Sequence, residues 1–177
     1  LMLATGLRFY GIDFGFPYLY DQDEKDFVEP ALDMLATRNP NPGYFQHPAS
    51  TTIYMLAVTY AGIFATGYVT GVYENPDAFA NQLYQDPTIV YLAGRIEIAL
   101  FGAASVLLVY LIGRRVLNPT FGLLAALLAA IAPLHIWISH LIRTDVMTGF
   151  FALMAFWYCL DILEKGRWRA YILTGVF

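Results

Sequence analysis

Apolar positions in this chain gather into long blocks rather than alternating at the period of a strand. Three blocks, 88–112, 120–139 and 146–163, approach or exceed the roughly 20 apolar residues an α-helix needs to cross a bilayer. A fourth, 50–72, is long enough but softer. It is rich in Thr, Tyr, Ala and Gly and is interrupted by Gly62, Gly67 and Gly71. Residues 1–12 read as the last turns of a preceding span, and 170–177 as the start of another. The chain is therefore expected to be a piece of a larger polytopic protein, and no signal peptide is assigned. The pattern predicts one all-α unit, a membrane helical bundle.

Composition strengthens that reading. Hydrophobic residues make up 58% of the chain and charged residues 14%, well outside the range of a soluble domain. The single cysteine, Cys159, excludes an internal disulfide framework and sits in an apolar run where a packed thiol is expected. No glycine-rich phosphate loop and no basic footprint for nucleic acid is present.

The net charge of −4 matters less than where the charges lie. Arg114 and Arg115 follow the first block, and Lys165, Arg167 and Arg169 follow the third. Two spans separate these clusters, so the positive-inside rule places both in the cytoplasm. Residues 140–145 and the stretch before 88 then face outward. Both 13–48 and 73–87 are rich in acids. If 50–72 crossed the membrane, these two regions would face opposite sides. A helix lying on or re-entering the surface keeps both outside, and 13–87 is accordingly read as one outer loop with juxtamembrane helices.

Within that loop, Asp21-Gln22-Asp23-Glu24-Lys25-Asp26 stands out, because carboxylates beside apolar helices are expensive to hold. Asp21 and Glu24 have the spacing of a capping box, which predicts a helix starting near residue 22. Phe27, Val28, Ala31, Met34 and Leu35 then form an apolar stripe, with Lys25, Asp26, Glu29 and Asp33 toward water. Pro30 either kinks this helix or opens a second one. Asp23 and Glu24 fall in the first turn, where the helix dipole favours a carboxylate. Such a group can be a general base or only a cap.

The order "GIDFGFPYLYDQDEKDFVEPALDML", "YFQHPASTTIYML", "YLAGRIEIALFGAASVLLVYLIGRRVLNPTFGLLAALLAAIAP" and "HIWISHLIRTDVMTGFFALM" resembles the N-terminal part of GT-C glycosyltransferases. The similarity is to the branch holding the protein O-mannosyltransferases and the bacterial aminoarabinose transferases, and it covers nearly the whole chain. The resemblance implies an integral, multi-pass enzyme of a plasma or bacterial inner membrane. It would transfer a sugar, with inversion, from a polyprenyl-phosphate donor to a hydroxyl of a protein, lipid or glycan at the extracytoplasmic face. The family's outer-loop Asp-Glu pair matches Asp23-Glu24, so Asp23 inherits the role of catalytic base. Glu24 would orient a loop or help bind the acceptor. A second acid after an Arg matches Arg143-Thr144-Asp145, and the Arg opening the second true span matches Arg95. The family also puts its proline-bearing segment in juxtamembrane helices, in keeping with a surface position for 50–72.

Other roles stay open beside these. Arg143 and Arg95 can hold the leaving phosphate, or snorkel and pair with Glu97 or Asp145. Asp145 can line the active site or cap the helix it opens. His140 is a candidate substrate contact, and Glu97 matches no family feature. Some relatives hold a divalent metal through a Glu in this region. Gln46 is a poor ligand, and His47, His135 and His140 are badly spaced for zinc, so no metal residues are assigned although a divalent cofactor stays open. The rival functions are a membrane transporter, which would place its acids inside the spans, and a non-catalytic assembly subunit.

Overall fold

The computed structural model describes residues 1–18, 21–43 and 50–177. Among them the chain is helical with no strand: α1 (Met2–Phe9), a 3-10 turn (Gln22–Glu24), α2 (Lys25–Thr37), α3 (Ser50–Val69), α4 (Pro76–Gln85), α5 (Thr88–Val116), α6 (Pro119–Ile131), α7 (Pro133–Ile138), α8 (Thr144–Lys165) and α9 (Trp168–Val176). The helices α3, α5 and α8 are long and apolar enough to cross a membrane. The chain folds as two compact units, one of residues 11–97 and 141–144, the other of 1–10, 98–140 and 145–177.

The first unit is built on α2 and α3. Phe27, Val28, Ala31 and Met34 form the expected stripe, while Leu35 is left exposed. They meet Ile53, Leu56, Ala57 and Tyr60 of α3, whose spacing of three, one and three residues defines one helical face. The other face of α3 carries exposed Tyr54, Val58 and Tyr68. Pro30 lies inside α2, which continues through it. After α3 the chain turns back so tightly that the Tyr73 ring lies where a side chain on Gly67 would be. Tyr73 then stacks edge-on to Phe79 of α4 with ring centres 4.8 Å apart. Asn75 caps α4 by accepting from the Ala78 amide at 2.8 Å.

In the second unit α5 and α6 form a hairpin turned by Asn118, which accepts from the amides of Thr120 and Phe121, with Pro119 at the first helical position. The two backbones approach at Gly113 and Gly122. A Cβ on Gly122 would lie 2.6 Å from the Arg114 nitrogen. At the basic end, Arg115 bridges Asp161 at 2.6 Å and Glu164 at 2.7 Å and lies over the Trp157 ring.

The block 120–139, expected as one span, is two helices. Pro133 has no N–H for the Ala129 carbonyl, and its ring cannot sit above that carbonyl in a continuous helix. The chain therefore extends at Ala132 and restarts as α7. Arg8 fills the gap, donating to the carbonyls of Ala129 at 3.2 Å and Ala130 at 3.3 Å.

Candidate functional site

The site grows from the local fold of the acidic segment. Asp21 accepts from the Asp23 amide at 3.0 Å and so starts the 3-10 turn. The predicted capping box does not close, because the Glu24 side chain turns inward and does not reach back. Its carboxylate is held at two points by Arg95, Nε to Oε1 at 2.8 Å and Nη2 to Oε2 at 2.7 Å. Neither side chain is more than 1% exposed. This pairing replaces the partners Glu97 and Asp145 that the sequence had offered for Arg95. Glu97 instead accepts from the Thr59 hydroxyl at 2.7 Å.

The two Nη1 donors of Arg95 are committed as well. Its Nη1 donates to the carbonyls of Ile12 at 3.2 Å and Phe14 at 2.8 Å. The rings of Phe14 and Phe16 flank the guanidinium, each centred 4.5 Å away. With four of its five N–H donors committed and its surface closed, Arg95 organises protein rather than presenting itself to a substrate.

The Glu24 carboxylate has one further partner. Its Oε1 accepts from the Ile142 amide at 3.0 Å, which docks the 141–144 loop beside the acidic segment. Leu141 and Ile142 are buried there. A Cβ on Gly94 would come within 2.6 Å of the Ile142 side chain, so that glycine makes room for the loop. The next residue, Arg143, thereby reaches Asp21 at 3.0 Å and Asp23 at 2.7 Å through Nη2.

The result is a graded set of charges. Asp21 is largely covered, with its side chain 15% exposed, whereas Asp23 is 58% exposed and beside the cation. Lys25, Asp26, Glu29 and Asp33 lie on the exposed side of α2. An accessible carboxylate next to a partly accessible guanidinium can take up a proton on one side and hold an anion on the other.

Asp145 opens α8 and lines a separate cavity with His135 in the second unit. His140 is half-buried between α7 and α8. Among the described residues no three His, Cys, Asp or Glu side chains gather around a metal position. Gln46 and His47 lie outside the described residues. Sequence reasoning missed the Ile142 amide, the Phe14–Phe16 sandwich and Arg8. For Arg8 there was a signal, a lone cation within an apolar run.

A family model described as dolichyl-phosphate-mannose-protein mannosyltransferase matches residues 89–177, half of the chain. The matched stretch contains Arg95, His140, Arg143 and Asp145, and the acidic segment precedes it. Comparison with curated proteins and with solved structures gives no match.

Proposed function

The chain belongs to the dolichyl-phosphate-mannose-protein mannosyltransferase family of membrane glycosyltransferases, which use a lipid-linked sugar donor, and on that premise we propose that it transfers a sugar from a polyprenyl-phosphate carrier to an acceptor hydroxyl with inversion. Asp23 is the general base. The observation that carries this reading is the Asp23–Arg143 contact at 2.7 Å, which puts an exposed carboxylate and a cation side by side.

In the reaction the acceptor oxygen attacks the anomeric carbon from the face opposite the phosphate. Its proton passes to the Asp23 carboxylate as the carbon–oxygen bond to the phosphate breaks. The phosphate leaves with the bonding electrons and gains charge, which Arg143 stabilises more strongly than in the ground state. Arg95, closed around Glu24, positions the acidic turn and the 141–144 loop. Asp145 and His140 are assigned to substrate contacts. The acceptor is a protein, lipid or glycan hydroxyl.

The same contacts favour an extracytoplasmic active site with α3 lying at the surface. Glu24 touches both Arg95 and Ile142, so the three share one side of the membrane. Among the described residues between Glu24 and Arg95, only α3 is long and apolar enough to cross, and one crossing would separate the pair. The positive-inside rule puts the basic clusters after α5 and α8 in the cytoplasm.

Replacing Asp23 tests the reading. Asp23→Asn in the full-length protein should lower sugar transfer by about 10²–10⁴-fold while insertion and folding persist, the range expected for loss of a general base. Transfer at the wild-type rate would remove Asp23 from the mechanism.

A further inference from the structure

Arg8 is a fully buried cation with an unusual commitment. Besides the α6 carbonyls and that of Ala4 at 2.9 Å, it reaches the His135 ring, with Nη2 2.9 Å from Nδ1. A guanidinium has donors and no acceptor, so Nδ1 must offer its lone pair. The ring proton is thereby assigned to Nε2, and a second proton on Nδ1 would face a cation. His135 also lines a cavity of about 260 Å³ together with Asp145. Its other walls include Val106, Ile138, Leu153 and Ser105, whose hydroxyl is donated to the Phe101 carbonyl at 2.9 Å.

We propose that this cavity binds an uncharged hydroxyl group, which accepts from the His135 Nε2–H and donates to the Asp145 carboxylate. The pairing of one neutral donor with one anionic acceptor selects against the alternatives. An anion would be repelled by Asp145 while Arg8 faces backbone carbonyls. An ammonium group would meet an N–H where it needs an acceptor. An alkyl group would leave the His135 Nε2–H without an acceptor, and a site built around a hydroxyl discriminates against an analogue that lacks it. Arg8 acts here as a positioning residue that fixes the tautomer. The ligand so defined is a sugar hydroxyl or a side-chain hydroxyl, and this reading does not rest on the proposed function.

Histidine-selective ¹⁵N NMR of the full-length protein in lipid nanodiscs reads the site without requiring turnover. The His135 signal, assigned by its loss in His135→Phe, should show the Nε2–H tautomer, and Arg8→Leu should release that preference. Methyl α-mannoside offers a sugar hydroxyl and N-acetylthreonine amide a side-chain hydroxyl. One of them should shift the Nε2 signal saturably, inorganic phosphate should not, and Asp145→Asn should weaken the binding about tenfold or more. An Nδ1–H tautomer, or a Nε2 signal unmoved by both hydroxyl probes, overturns the proposal. A shifted signal in a protein that transfers no sugar would keep the hydroxyl site and reject the proposed function. Sugar transfer with no shift would do the reverse.

Discussion

Glu24 and Arg95 form a two-point ion pair, 2.7 and 2.8 Å, from which solvent is shut out. The pair sits at the junction of four segments: the backbone at Ile12 and Phe14, the 3-10 turn, α5 and the 141–144 loop. It fixes where Asp23 and Arg143 stand, since each is the chain neighbour of a residue in the junction.

Breaking this pair on one side should therefore cost more than removing it whole. Glu24→Gln or Arg95→Leu strands an unmatched polar group and is expected to destabilise the protein by about 3–5 kcal/mol. The double variant Glu24→Leu/Arg95→Met should be appreciably more stable than either single variant. Thermal unfolding in detergent measures both, and additive losses would refute the coupling.

Arg143 should behave as a cation tuned to the leaving group. Arg143→Gln is expected to lower kcat about 10²-fold, with Arg143→Lys retaining part of the rate. Steady-state kinetics with the lipid-linked donor separates the roles. A raised KM at unchanged kcat would make Arg143 an anchor for the donor and nothing more.

The position of α3 is open to direct test. In a full-length background with Cys159 and every other cysteine replaced by serine, Asn75→Cys in intact cells should react with a membrane-impermeant thiol reagent added from outside. Labelling only after the membrane is opened would put residue 75 in the cytoplasm and refute the surface assignment.

The α5–α6 hairpin depends on two glycines meeting. Gly122→Ala brings a methyl within 2.6 Å of the Arg114 nitrogen and 2.8 Å of the Tyr110 carbonyl, and should cost about 1–3 kcal/mol. Gly175→Ala, with nothing within 4 Å of the added methyl, should be neutral or slightly stabilising through helix propensity. Equal melting temperatures for the two variants would count against close packing.

The long helices and the buried stripe of α2 were legible because periodicity and length are local properties of a sequence. The acidic segment was legible as a candidate site because charge beside apolar sequence is costly. The sharing of tasks within it was less so. Asp21, Asp23 and Glu24 look alike as letters, and they differ only once Arg95 and Arg143 arrive from far along the chain. Glu24 was pulled out of its expected cap by a cation 71 residues away, a competition no local rule contains. The break at Pro133 follows from proline chemistry. Its repair by Arg8 depends on a contact 121 residues apart in sequence.

The bond from the Ile142 amide to Glu24 also sets a timetable. Its two ends lie 118 residues apart, so at usual synthesis rates roughly 6 to 24 s pass between them. During that interval the acidic turn has no 141–144 loop to dock, and Asp23 has no guanidinium beside it. The proposed base and its cation thus come together only after the α5–α6 hairpin has been made. A ribosome that stalls within that hairpin leaves a membrane-bound chain with its carboxylates in place and no completed site.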